Sequence, residues 1–171
     1  MSSAQYALNL GLLVYILGSN LGTRRLTPRR LALPVVLVGV AAWILLRDLP
    51  TLGNDVRLEL VGAAAGAVLG VVAGLLVRVR RQHTGVLVTR AGTAYGVLWL
   101  VVIGGRMAFA YGADHWFPVA IGRFSMTHRI TGADAWTAAF VLMALTMVLV
   151  RVLVTAVSAR AATPGRQAVA A

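Results

Sequence analysis

LELVGAAAGAVLGVVAGLLV, from Leu58 to Val77, decides how the chain is read. Apart from Glu59 the stretch is apolar. It is long enough to cross a bilayer, which takes about 20 residues as a helix. Gly62, Gly66, Gly70 and Gly74 recur in it at every fourth position. On a helix that spacing draws a nearly straight line along one face, drifting slowly because a turn holds about 3.6 residues. Glycine is a poor helix former in water. In lipid the backbone must bond internally, so the segment stays helical and the glycines form a flat groove for another helix. Ala63, Ala67 and Ala73 widen that groove. The stretch is therefore expected at the centre of a small membrane bundle.

Bulk composition points the same way. The 171 residues are 59% hydrophobic and only 12% charged, against about 25% charged in soluble domains. There is no cysteine, which excludes disulfides, thiolate metal sites and thiol redox chemistry carried by the chain itself. The net charge is +11 and all 16 basic residues are arginine. In a soluble protein that balance would suggest nucleic acid. Here the arginines sit in short clusters beside apolar runs, which reads as topology signals facing an anionic leaflet, with the lipid bilayer and no nucleic acid as partner.

Working outward, four more apolar runs accompany the central one, each read as a transmembrane helix. The first, about residues 4–21, is the weakest and contains Asn9, expected to bond to a neighbouring helix. A signal peptide is the competing reading, but no basic residue precedes the run and no A-x-A-like site follows it. The second spans about 31–46, after the GTRRLTPRR loop, with Pro28 stopping any continuous helix and Pro34 in the first turn. The central stretch, 58–77, is the third. The piece Val86–Thr89 is β-branched and could be a scrap of strand. The fourth run spans about 93–110 and the fifth about 135–157. Between them Trp116, Phe117, Ile121 and Phe124 recur near helical spacing, so about 117–127 is read as a helix lying in the membrane interface. A structureless loop is the alternative there. The expected fold class is an all-α polytopic bundle, a single domain over 1–160, followed by a disordered tail over 161–171.

Five crossings place the termini on opposite sides. One side carries ten arginines, eleven with Arg151, and no acid. The other carries four arginines against Asp48, Asp55, Glu59, Asp114 and Asp134. The basic side belongs in the cytoplasm. The expected location is the cell membrane, N-terminus outside and C-terminus inside.

Arg106 is the outstanding candidate for a functional residue. A charge inside a span costs at least about 2.5–3.5 kcal/mol on insertion scales, so it is functional or paired by default. Its place about 21 Å in from Gly92, at 1.5 Å per residue, lies in the outer half. The expected partner is Glu59, or else Asp48 or Asp55. Such a pair fixes helix register, or it lines a polar pocket in the outer half of the bundle for a small anionic or polar ligand. Snorkelling of Arg106 alone is the remaining reading. Arg151 stands near the end of its span and can snorkel to the headgroups.

Other chemistry has little support. None of His83, His115 and His128 lies inside a span, as a transmembrane haem would require. His115, His128 and Asp114 could hold a metal, but no ligand-spaced motif is present. There is no lysine for a P-loop, no G-x-S-x-G and no histidine base in a span. No cofactor, metal or catalytic residue is assigned, and an enzyme is not expected.

The layout also supports a resemblance. A weak first span, an RR-x-x-x-RR loop, a span ending in Arg47-Asp48-Leu49-Pro50 and a Gly/Ala-rich third span come in order. Gly85-Val-Leu-Val-Thr-Arg90-Ala-Gly92 then precedes a span with an internal arginine. Over roughly residues 5–110 this resembles the CcdC-like small integral membrane proteins of bacteria, most of unknown function. Some members are linked to cytochrome c maturation. In a chain without cysteine such a role would be accessory. The resemblance implies no catalytic residue, and draws interest to Arg47, Arg90 and Arg106.

Two function classes follow. One is a non-enzymatic scaffold or accessory subunit that associates through helices, with another membrane protein or a second copy as partner. The other is a small transporter or ligand-binding membrane protein with a polar pocket around Arg106 and Asn9. Five spans do not divide into the paired halves common in transporters.

Overall fold

A computed structural model describes residues 22–25, 27–45, 53–81 and 86–162. The expected first span at 4–21 with Asn9, the loop residue Asp48, and tail residues 163–171 lie outside the described residues.

The chain forms β1 (Gly22–Arg25), α1 (Pro28–Leu45), α2 (Asp55–Leu75), β2 (Val77–Arg81), β3 (Leu87–Ala91), α3 (Thr93–His115), α4 (Pro118–Thr127) and α5 (Ala133–Ala161). It is mostly helical. At 1.5 Å per residue α2, α3 and α5 are about 31, 35 and 44 Å long, enough for a hydrocarbon core of about 30 Å. These three helices are long and apolar enough to cross a membrane, and α1 contains a shorter apolar stretch, Ala32–Trp43.

Several boundaries differ from the sequence expectation, each for a local reason. Pro28 opens α1 instead of interrupting a helix, because a proline at the first position forfeits an N–H that has no intrahelical partner anyway. Pro34 consequently lies in the helix interior, not in its first turn. α2 begins three residues early, with Asp55 in its first turn where a carboxylate suits the helix dipole. It stops at Leu75, before the Val-Arg-Val-Arg alternation of β2, whose period of two suits a strand. α3 continues to His115 and α5 to Ala161. The short helix expected at 117–127 is α4, with Pro118 at its start. The all-α expectation needs correction. Beside the helices stands a three-stranded antiparallel sheet in the order β1-β3-β2.

The glycines of α2 face α5. A Cβ built on Gly62 would stand 2.5 Å from the Ala139 carbonyl oxygen, and one on Gly70 would stand 2.7 Å from that of Met147. On Gly66 it would stand 2.9 Å from Met143 Cα, and on Gly74 2.6 Å from Val154 Cβ. The backbone neighbours advance through Ala139, Met143, Met147 and Arg151, whose carbonyl oxygen would lie 3.4 Å from a Cβ on Gly74. Each step of four along α2 therefore matches a step of four along α5, and the two helices run parallel with backbones in contact. α3 runs the other way. Tyr95, near its start, packs with Ala73, Val77, Ala91, Trp99 and Met147 in the buried core. Phe109, near its end, meets Trp136 and Phe140 near the start of α5, both at 5.2 Å between centroids. The outward sides stay apolar and exposed, with Val61 and Val68 on α2, Leu100 and Val101 on α3, and Leu153 and Val157 on α5. That is the surface a lipid environment accepts and water does not.

Candidate functional site

The two ends of the bundle carry opposite chemistry. At one end the start of α2 is tied to the turn before α5. Gly53 has φ +62°, a conformation glycine adopts freely. The next residue, Asn54, donates from its backbone N–H to the Arg129 carbonyl at 3.0 Å and from Nδ2 to the His128 carbonyl at 2.8 Å. Asp55 is fully buried. It accepts from the Thr131 N–H at 2.9 Å and from the Thr131 hydroxyl through its second oxygen. A buried carboxylate is tolerable only when it is hydrogen-bonded in this way.

Close by, Ser125 of α4 is buried and its hydroxyl accepts from Trp136 Nε1 at 3.2 Å. Phe117, Ala120, Ile121, Phe124 and Trp136 line an open apolar groove of about 280 Å³ here. His115 and His128 each donate from Nδ1 to a carbonyl one turn back, Tyr111 and Phe124 respectively. Among the described residues no three metal-ligating side chains cluster.

The expected pairing of Arg106 with Glu59 or Asp55 is not formed. Arg106 is half-buried and its guanidinium carbon lies 5.9 Å from the centroid of the Phe140 ring. Glu59 is buried, and among the described residues its Oε1 has no hydrogen-bond partner. Both oxygens of Asp55 are occupied by Thr131. The physical reason is the glycine seam. It brings α5 against α2, so α3 meets the aromatic side of α5 and Arg106 finds Phe140 there. A guanidinium over a ring face is a favourable contact, worth about 0.5–1 kcal/mol when exposed and about 2 or more when desolvated. Gly62, Gly66, Gly70 and Gly74 lie together along the contact with α5. The alternatives named for Arg106 and its pocket, Asp48 and Asn9, lie outside the described residues.

At the other end Arg151 stands with its guanidinium carbon 5.0 Å from the Tyr95 ring centroid. Among the described residues, the Tyr95 hydroxyl and Trp99 Nε1 are buried there without a well-formed hydrogen bond. The sheet at this end carries Arg24 and Arg25 in β1, Arg78, Arg80 and Arg81 in β2, and Arg90 in β3.

Sequence reasoning missed Asp55 as a clamp and β1 and β2 as strands. The Val-Arg alternation from Val77 to Arg80 was a usable signal for β2. Nothing local announces the link between Asp55 and Thr131, which are 76 residues apart. No protein-family model, no curated protein and no solved structure matches the chain. The residues define a membrane-compatible helical bundle with a polar clamp at one end and a basic sheet at the other.

Proposed function

We propose that the protein is a multi-pass cell-membrane protein of non-enzymatic type, a scaffold or accessory subunit that acts by associating with other helices. The reading takes five crossings, with the N-terminus outside and the basic end in the cytoplasm. The observation that carries it is the parallel α2–α5 seam, which leaves apolar outward faces on all three long helices. The glycine groove is filled within the chain, so a partner helix would meet one of those outward faces. Several buried polar groups serve structure: Asp55 ties the start of α2 to Thr131, Trp136 of α5 donates to Ser125 of α4, and Thr155 donates to the Arg151 carbonyl one turn back in α5. The likeness to the CcdC-like proteins belongs to the same proposal.

The test is mass measurement of the tagged protein purified in mild detergent. A defined complex, either with a stoichiometric subunit or with a second copy, is expected. A monodisperse monomer with no companion would overturn the reading.

A second reading has one observation in its favour. Arg106 is a half-buried cation within α3, held against a ring and, among the described residues, not against a carboxylate. Such a cation is available to a small anion. If an Arg106→Leu protein keeps both its fold and its cellular phenotype, that reading fails.

A further inference from the structure

Two arginine-rich stretches far apart in the sequence meet on one side of the sheet. Arg90 of β3 is in register with Thr23 of β1 and Arg78 of β2, and Val88 is in register with Arg25 and Arg80. Residues directly opposite one another in an antiparallel pair share a face, and the face alternates along the strand. One face therefore carries the positions of Arg25, Arg78, Arg80 and Arg90, with Val88 buried at its middle on the central strand. The other carries Val77 and Ala91, which are buried in the core with Ala73, Tyr95 and Met147. That second face packs onto the helices at its near end, while Arg81 farther along it is exposed. Arg78, Arg80 and Arg90 are exposed.

Arg78 lies directly opposite Arg90, an arrangement of like charges that destabilises a sheet. No Asp or Glu occurs from Leu60 to Ala113 or from Leu21 to Leu46 to offset it. The position of the sheet is equally specific. β2 starts two residues after α2 ends, and β3 ends two residues before α3 starts. With helices this long and apolar, so short a tether holds the sheet at the level of the lipid headgroups.

We propose that this face binds the phosphate groups of anionic phospholipids, with Arg78, Arg80 and Arg90 as the ligating side chains. A guanidinium presents a planar fork of donors that matches two phosphate oxygens. The strand register sets the fork spacing, with backbones about 4.7–4.9 Å apart. A free phosphate and a nucleic-acid backbone offer the same oxygens. The tether to α2 and α3 favours the lipid source, because it keeps the arginines within a headgroup's reach at all times.

The full chain, purified in mild detergent and mixed with equal amounts of phosphatidylglycerol and phosphatidylcholine, provides the test. Native mass spectrometry reads which lipid is retained. Preferential retention of phosphatidylglycerol is expected, falling about fivefold for each arginine replaced in Arg78→Gln, Arg90→Gln and the double variant. Arg123→Gln, at the opposite end, should leave the preference unchanged. Arg78→Lys with Arg90→Lys keeps the charge but not the fork, so it should retain only part of it. Equal retention of both lipids by the parent would overturn the proposal, as would an undiminished preference in the double variant. So would inorganic phosphate protecting the protein against heat as well as phosphatidylglycerol does, or an oligonucleotide that remains bound when phosphatidylglycerol is added. Should the double variant not fold, the parent decides alone. Its preference must weaken as the screening length shortens from about 10 Å at 0.1 M salt to about 3 Å at 1 M, and a salt-independent preference overturns the proposal.

Discussion

Gly70 of α2 lies so near Met147 of α5 that a Cβ at the glycine would stand 2.7 Å from the methionine's carbonyl oxygen. The neighbour is backbone, which cannot rotate away. Gly66 is in the same position, with the Met143 carbonyl carbon and Cα both 2.9 Å from the site of a Cβ. Gly66→Ala should therefore push the two helices apart and destabilise the fold by about 1–3 kcal/mol, the usual range for overpacking. Gly39 and Gly104 have no neighbouring atom within 4 Å of a Cβ. Alanine there should be neutral, or stabilising by up to about 1 kcal/mol through helix propensity. Unfolding in detergent mixtures measures both. Equal stability of Gly66→Ala and Gly39→Ala would mean that the seam does not hold α2 to α5.

The bond between Asp55 and Thr131 should behave as one unit. Thr131→Val removes a hydroxyl donor and leaves a buried carboxylate under-satisfied, at a cost of about 1–3 kcal/mol. Asp55→Asn keeps the shape and loses the charge. The double variant should be less destabilised than the sum of the singles, with a coupling of at least about 0.5 kcal/mol. Strict additivity in the cycle would show that the clamp contributes nothing as a pair.

How far these relations could be read beforehand depends on whether the cause is local. The four-residue glycine spacing marks a packing face without any knowledge of the partner, and Pro118 together with the spacing of Trp116, Phe117, Ile121 and Phe124 marks α4. The β-branched piece at Val86–Thr89 could be a scrap of strand, and residues 87–89 of it do fall in β3, which continues to Ala91. β1 could not be foreseen, because GTRR has no strand pattern and is held by pairing with residues 88–91. Charge and depth along its span point Arg106 towards Glu59, or towards snorkelling alone. Which neighbour it meets depends on how α3 sits against α5, and a hydropathy pattern does not encode that. The Asp55–Thr131 bond was invisible for the same reason.

The tie between α4 and α5 is a single neutral hydrogen bond within an aromatic cluster, so its two parts can be separated. Trp136→Phe keeps a ring beside Phe109 and Phe124 but removes the donor to Ser125. It should cost about 1 kcal/mol for the hydrogen bond, plus what the smaller ring loses. Trp136→Ala empties the cluster and should cost about 3–5 kcal/mol. Limited proteolysis at Arg123 and Arg129 should follow the same order. Equal effects of the two substitutions would mean that ring packing does not anchor α4.

Orientation can be tested in a background that already lacks cysteine. Met126 is exposed on α4 at the acidic end. Gly92 is exposed beside the basic sheet, with φ −94° and open space around a Cβ. A cysteine at either position should leave the fold intact. Arginine-rich segments are retained on the cytoplasmic side of a membrane. A membrane-impermeant maleimide applied to intact cells should therefore label Met126→Cys and spare Gly92→Cys until the cells are opened. The reverse pattern would place the sheet outside, away from the leaflet whose charge it matches. The lipid-binding face would then lack its anionic partner, although the α2–α5 seam would be unaffected.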